Sequence, residues 1–385
     1  MSSPDVYLGV LAARRNSARR PYHEQTTFFR RLINEGREIG VGVFIFSPPD
    51  VLWKRKKIKG WTWTGKRWVR RLFPFPHAIY DRVSPKGKAD LGGVPTARRR
   101  FRRLGIPRFN TEIGSKWRMH RLFSKNPTLR EVLPPTKLLT TSTLAAMMNR
   151  YGAVYSKPVR GGQGKGIVWA ARRGSGYAYR IQGMRGGARS GKVKSLAALR
   201  ARCGRGRRII QRAIPILRCG GRPFDVRALV QRLEDGEFHV TGVVARLGAK
   251  GSRVTNIHAG GKALLFEEAL TKAGLAPEQI EPVRRRIEAL ALEVARCLSD
   301  AGSFVGELGV DFAIDTDTNV WLLEANSRTG RISFHRAGLT DAARQADRAP
   351  AAFARYLAGA GAVHRQAASA PEADGEAVHE EAVRA

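Results

Sequence analysis

The chain is short of acid: 32 Asp and Glu stand against 69 Lys and Arg over 385 residues, a formal charge of +37. It has three cysteines, Cys203, Cys219 and Cys297. An odd number without metal-type spacing argues against a disulfide framework or a Cys-x-x-Cys zinc site, and fits a reducing compartment. No apolar run reaches the roughly eighteen residues of a membrane helix, and no basic stretch followed by an apolar one marks a secretory signal. The expectation is a protein made and kept in the cytoplasm, without a membrane span. The G-x-x-x-x-G-K-[ST] pattern is also missing, which disfavours a P-loop kinase or ATPase.

What is present is globular in kind, with 43% hydrophobic and 8% aromatic residues. The length allows two or three domains with cores of their own. Of the basic residues 52 are Arg and 17 Lys, and Arg is the better bidentate binder of phosphate and carboxylate. Such a body attracts any polyanion, whether nucleic acid, nucleotide or an acidic polymer of an envelope or coat. Charge therefore indicates a class of partner and leaves the substrate open.

Residues 304–331 organise the rest. A run ending in Val310, Asp311, Phe312, Ala313 and Ile314 meets a polar turn at 315–319. Then Val320, Trp321, Leu322 and Leu323 lead into Glu324, Ala325 and Asn326. Apolar runs bounded by Asp, Thr and Asn predict a hairpin. Side chains two apart share a strand face, so Glu324 and Asn326 point the same way and Asp311 can join them at one end of the ribbon. Three hard oxygen donors suit Mg2+, with Mn2+ the alternative; taken alone, the same residues equally describe an amphipathic hairpin facing water.

Upstream, an apolar run at 6–12, helical spacing over 24–34 and a buried strand at 41–46 predict a small α/β domain. Trp53, Trp61, Trp63 and Trp68 alternate with Lys and Arg. They form either a surface for stacking bases or, the favoured reading, a hairpin with tryptophans packed on one side and lysines solvated on the other. Arg98, Arg99, Arg100, Arg102 and Arg103 read as a solvated face of a helix within 86–104. Residues 153–158 predict a strand running into Gly161, Gly162, Gly164 and Gly166, a loop whose N–H groups can close on phosphate while Lys157 adds a point charge. Asp225 and Arg227 share one face of an apolar strand and need a ligand or an ion pair opposite them. Ile280, Val283, Ile287, Leu290, Val294 and Leu298 recur every three or four residues, the mark of an amphipathic helix packed on the sheet that carries the hairpin.

In this order, the glycine loop, Phe224-Asp225-Val226-Arg227, Asn256-Ile257-His258-Ala259-Gly260-Gly261 and the D…ExN hairpin resemble the ATP-grasp superfamily. Tyr80-Asp81-Arg82, Leu133-Pro134-Pro135-Thr136 and the Trp-rich segment narrow the resemblance to YheC/YheD-type endospore coat-associated proteins. It implies a fold of α/β and α+β class: an N-terminal α/β pre-ATP-grasp domain over 1–112, a two-lobed ATP-grasp domain over 113–365 with its hinge near 209–214, and a disordered acidic tail over 366–385. ATP and Mg2+ are the implied cofactors. The implied nucleotide residues are Lys116, Lys157, Gly161, Gly162, Gly164, Gln211, Arg212, Ile214 and Asp225. Asp311, Glu324 and Asn326 are implied at the metal, and Arg227, Arg246, Arg253 and Asn256 at the transferring phosphate and substrate.

In the glutathione-synthetase branch a second arginine stands two residues before the asparagine. Here that position is Val254, with Arg253 one step earlier, so the transferring phosphate falls to either Arg253 or Arg246. Arg328 and Arg331 follow the ExN and are candidates for binding a carboxylate substrate. The implied activity is ligation of an unknown acid to an amine or related nucleophile through an acylphosphate. A polyanionic or spore-coat partner is a further expectation. The competing readings are a nucleotide-binding coat component without a ligase cycle, and a basic nucleic-acid binder needing neither ATP nor Mg2+.

Overall fold

The computed structural model describes residues 4–13, 22, 25–83, 92–162, 164–183, 187–249 and 261–367, with side chains to 359. Arg253, Asn256 and most of the predicted tail lie outside the described residues. Among those described, the strands form three sheets.

The first sheet is built on continuous apolar runs, as strands buried on both faces must be. Val6–Leu11 runs parallel to Val41–Phe46 on one side and to Ala78–Asp81 on the other. Leu8, Val10, Val43 and Ile45 pack under Phe28, Phe29, Leu32 and Ile33 of helix Thr26–Glu38. The opposite face, with Leu11, Phe44, Phe46 and Ile79, meets Val94, Ala97 and Phe101 of helix Val94–Arg103. Arg99, Arg100, Arg102 and Arg103 of that helix are exposed. Arg98 departs from the solvated face: its Nε and Nη2 donate to the Asp81 carboxylate at 2.8 and 2.9 Å. Lys57–Trp63 and Trp68–Pro74 make an antiparallel hairpin. Trp61, Trp63 and Trp68 pack onto the first core, while Lys57, Lys59 and Lys66 face solvent.

The second sheet is antiparallel throughout, in the order Ala188–Val193, Gly176–Gln182, Val168–Arg173, Ala153–Pro158, Arg208–Arg212, Thr136–Leu138. The third, also antiparallel, runs Lys262–Leu265, Phe238–Leu247, Arg222–Arg232, Glu307–Ile314, Val320–Asn326, and Arg218–Cys219 adds to its Arg222–Arg232 strand. Helix Pro277–Asp300 covers one face of this third sheet with Ile280, Val283, Ile287, Leu290, Val294 and Leu298, all buried. The chain crosses from the second sheet to the third directly after Arg212, where the Arg212 and Ala213 amides donate to Pro135 and Ala153 carbonyls at 2.9 and 3.1 Å. That crossing leaves a cleft between the two sheets.

Candidate active site

Strand alternation sets one wall of the cleft. In Arg222–Arg232, Phe224, Val226, Ala228 and Val230 join the core on the long-helix side, which turns Asp225, Arg227 and Gln231 to the other face. In Glu307–Ile314 the same alternation sends Leu308, Val310, Phe312 and Ile314 to the helix and leaves Glu307, Gly309 and Asp311 opposite. The ladder pairs Asp225 with Arg246, Arg227 with Asp311, Asp311 with Glu324 and Gly309 with Asn326. A bulge follows Asp311, so Glu324 opposes Asp311 while Leu322 opposes Phe312 and Leu323 is the extra residue. Bulges of this kind re-aim side chains beside sites.

Ion pairs knit this face together. Arg227 grips both oxygens of Asp311, with Nη2 to Oδ2 at 2.9 Å. Arg246 donates to both oxygens of Asp225 at 2.6 and 2.7 Å, and its Nη2 lies 3.1 Å from Asp311 Oδ2. Asn326 Nδ2 donates to the same Asp311 oxygen at 3.4 Å. Burial alone would push the Asp311 carboxyl up, but Arg227 and Arg246 outweigh it and hold the group below the usual carboxylate range. Burial likewise opposes the charge on Arg246, and Asp225 and Asp311 more than restore it. At Gly309 an added Cβ would lie 2.5 Å from Thr329 Oγ1 and 3.0 Å from Arg227 Nη1. Only glycine lets those two groups meet, at 3.0 Å.

The other wall comes from the second sheet and helix Lys116–Phe123. Ser115 caps that helix by accepting from the Arg118 amide, which fixes Lys116 in its first turn. Lys116 Nζ ion-pairs with Glu324 and donates to the Gly161 carbonyl at 3.1 Å, tying the glycine loop to the third sheet. Lys157 Nζ donates to Gln211 Oε1 at 2.6 Å, and Gln211 Nε2 to Thr136 Oγ1 at 2.9 Å. Desolvation lowers Lys157 to about 8, only partly offset by Glu324 and Asp311, while Lys116 adds to the fall. Between the walls lies a slot of about 40 Å3 lined by Met119, Phe123, Leu133, Ile209 and Leu322 besides the polar groups.

The structure thus gathers Lys116, Lys157, Gln211, Asp225, Arg227, Arg246, Asp311, Glu324 and Asn326 around one cleft. Gly161, Gly162 and Gly164 lie on the loop beside it, with Gly161 and Gly164 at φ 121° and 69°. Arg212 stacks between Tyr151 and Trp321, and Ile214 is half-buried on the crossing segment. Arg331 is not available to a substrate. It is buried, ion-paired with Glu307, and donates from Nε to the Ala346 carbonyl at 2.8 Å. The sequence left Thr329 and Glu307 unmarked and showed Thr136 only as part of the Leu133-Pro134-Pro135-Thr136 motif, since single residues of ordinary type carry no periodic signal.

A divalent cation of the Mg2+ class needs hard oxygen ligands. Among the described residues no three or more His, Cys, Asp or Glu cluster in a way that could hold a metal. The candidate set is instead two carboxylates and a carboxamide, which suits a cation that keeps water and draws on phosphate oxygens. Asp311 and Glu324 are neighbours across the ladder, and Asn326 turns its Nδ2 to Asp311, leaving the amide oxygen for a cation. On donor chemistry the residues fit.

Residues 105–357 match the family model described as YheC/D like ATP-grasp. The chain is 27% identical over 364 residues to the endospore coat-associated protein YheD of Bacillus subtilis (strain 168), covering 93% of this chain and 78% of the relative. It is 20% identical over 325 residues to YheC of the same organism, covering 81% and 87%. Among solved structures it resembles the D-alanine-D-alanine ligase of Coxiella burnetii, with TM-score 0.50, 12% identity, and 95% of this chain and all of that one covered. It also resembles the ATP-grasp ligase PsnB with its minimal precursor, with TM-score 0.50, 15% identity, and 89% and 99% covered. These likenesses establish the fold as ATP-grasp.

Proposed function

The chain belongs to the YheC/D-like ATP-grasp family, and on that footing we propose that it is an ATP-dependent ligase joining a carboxylic acid to an amine or related nucleophile through an acylphosphate. The observation that carries the reading is the charge inventory of the cleft. Lys116, Lys157, Arg227 and Arg246 face Asp225, Asp311 and Glu324 between two sheets. Phosphoryl transfer relies on positioning and charge neutralisation, so cations, carboxylates and backbone amides are the parts it needs.

In this reading Asp225 takes the ribose, and the backbone from Gln211 through Arg212 to Ile214 takes adenine. Lys116, Lys157 and the N–H groups of the Gly161, Gly162 and Gly164 loop take the phosphates. Arg227 and Arg246, with Arg253 and Asn256 outside the described residues, hold the transferring phosphoryl group. A carboxylate oxygen of the acid attacks the γ-phosphorus, the bond to the bridging oxygen breaks and ADP leaves. The nucleophile then attacks the acyl carbon, gives up a proton and releases inorganic phosphate. Asp311, Glu324 and Asn326 would hold Mg2+ or Mn2+, which when bound supplies charge neutralisation to the phosphate oxygens.

The slot of about 40 Å3 is far below the roughly 300 Å3 that ligand pockets begin at. In this reading nucleotide entry would widen the slot, with phosphate taking the place of Glu324 at Lys116 and leaving that carboxylate free to help hold a cation. The free thiols Cys203, Cys219 and Cys297 suit a reducing, ATP-containing compartment. An endospore-coat location is carried by the relatives' names. No helix of the described residues is long and apolar enough to cross a membrane.

The test is thermal melting with and without Mg-ATP, followed by hydroxylamine trapping of the acylphosphate over a panel of acids. At about a hundredfold excess over Kd the ligand should stabilise the fold by about 2.7 kcal/mol. Neither a shift nor ADP release would leave a fold without its ligand and return the scaffold and polyanion readings.

Lys157 gives this reading a pH signature. Its amine binds phosphate when protonated, and desolvation brings its pKa to about 8. Nucleotide affinity should therefore be full below about pH 7.5 and fall by up to about tenfold per unit above 8, because binding then takes up a proton. Calorimetric titration with Mg-ADP from about pH 7 to about pH 9 measures it. Lys157→Met should bind more weakly and lose this slope. A wild-type affinity flat over the range would remove Lys157 from the phosphate contact.

A further inference from the structure

The residues just past the metal edge are held in place from several directions, with one guanidinium left over. The Ser327 carbonyl accepts from Asn110 Nδ2 at 2.8 Å, the Thr329 carbonyl from Arg82 Nη1 at 3.4 Å, and Thr329 Oγ1 from Arg227 Nη1 at 3.0 Å. Arg328 lies between these two anchored residues, two positions after Asn326. Its Nε is buried and meets no acceptor among the described residues. The arginines around it are committed. Arg82 is bound to Glu307 and Gln25, Arg331 to Glu307, and Arg98 and Arg108 to Asp81. Asp81 is full as well, since it also accepts from the Val83 amide at 3.2 Å.

The bonds on either side of Arg328 come from Asn110 and Arg82, which follow strands of the first sheet, while Asn326 at the metal edge lies two residues back along the chain. Arg328 is thus held between the first sheet and that edge.

We propose that Arg328 receives a carboxylate of the acid substrate, and that this acid is a dicarboxylate whose other carboxylate is the one activated beside Asp311, Glu324 and Asn326. A planar guanidinium with an unused Nε offers the fork that carboxylates take in a bidentate way. Two anionic groups held apart, one at the metal edge and one at Arg328, fix the acid's orientation before attack. The proposal rests on the ligase reading for the second carboxylate only; the anion seat at Arg328 stands on its own geometry.

The experiment titrates wild type, R328K and R328M with acetate, malonate, succinate and glutarate against chloride at matched ionic strength, with and without Mg-ADP, following thermal melting. In the wild type at least one dicarboxylate should half-saturate at a concentration about tenfold or more below acetate. R328K should weaken that response and R328M should lose it by about tenfold or more, with the Mg-ADP shift unchanged in both. R328M alone should melt no lower than wild type, because it removes a buried donor that has no acceptor.

The proposal is overturned if the wild type responds to the dicarboxylates no better than to acetate or chloride, if R328M keeps the wild-type half-saturation, or if R328M melts well below wild type, which would mark Arg328 as structural. Failure of the nucleotide reading shows separately, as no Mg-ADP shift in any of the proteins. The nucleotide-free titration then still decides the anion seat.

Discussion

Glu324→Ala should lower ATP turnover by at least about a thousandfold while the protein melts within a few degrees of wild type. The size of the loss follows from what the residue has to spare. Asp311 is gripped by Arg227 and touched by Arg246, whereas among the described residues Glu324 pairs only with Lys116. Glu324 is thus the carboxylate most readily given over to a cation. Removing one preorganised electrostatic contact to a transition state typically costs about a hundredfold to a thousandfold. Here the loss also falls on the ion that neutralises the phosphates.

The fold should tolerate the change. The Glu324 side chain is 27% exposed, and the Lys116 amine keeps the Gly161 carbonyl as an acceptor. Glu324→Gln separates charge from shape, since it keeps an oxygen donor at the same place. Coupled ADP release over a range of Mg2+ concentrations, run beside a melting curve, is the measurement. Unchanged turnover in a folded Glu324→Ala protein would sink the metal assignment.

The elements around this site were legible because their periods are clean. The apolar positions of 280–298 recur at helical spacing, and the observed helix Pro277–Asp300 buries each of them. The hairpin was equally plain from two apolar runs and a polar turn, and its strands are Glu307–Ile314 and Val320–Asn326. What it could not announce was pairing at long range. Asp225 and Arg227 demanded partners, yet Arg246 and Asp311 are theirs only through a strand register set by distant parts of the chain and a bulge after Asp311.

Arg331 shows the opposite error. Nearness to Asn326 in sequence suggested a substrate contact, but the chain turns into helix Ile332–Arg336 at that point and carries Arg331 inward to Glu307. The basic helix expected within 86–104 is described from Val94 on, where Gly93 at φ 78° and a proline in the first turn set its start. Arg98 left its solvated face because a buried Asp81 needed it, which composition cannot show.

The largest loss of stability should come from Glu307→Ala, on the strand that carries Asp311 but outside the cleft's own ligand set. Glu307 is 1% exposed and gathers residues from four parts of the chain. Tyr80 and Arg82 of the first sheet and its following loop bond Oε1, with Arg82 Nη1 at 3.2 Å. Arg331 and Gln231 bond Oε2, with Gln231 Nε2 at 3.1 Å. The Asn110 side chain fixes the Glu307 amide at 2.9 Å. Burial first, and then the Glu307 charge against the partial relief of Arg82, pushes the Tyr80 phenol up to about 12, so it stays a donor across the working range.

Among the described residues, deleting the carboxylate leaves Arg82 without a counter-charge in a dry place, and leaves Arg331 only Asp347 at 3.7 Å. Breaking a buried pair from one side typically costs about 3–5 kcal/mol. With about 2.1 cal/mol/K of unfolding entropy per residue, a chain of 385 residues shifts by about 1.2 °C per kcal/mol, so melting should fall by roughly 4–6 °C. Glu307→Gln should fall less, since it keeps oxygen and amide contacts, and Glu307→Leu combined with Arg331→Met should recover part of the loss because it leaves one fewer unpaired charge. The same network ties the first sheet to the third, and Arg82 passes it on to Thr329 and so to Arg227 and Asp311. A folded Glu307→Ala protein should therefore bind Mg-ADP more weakly as well as melt earlier. Normal melting in Glu307→Ala would mean that water replaces the carboxylate at no net cost, and the docking of the two sheets would then rest on apolar packing around Phe109 and Phe353.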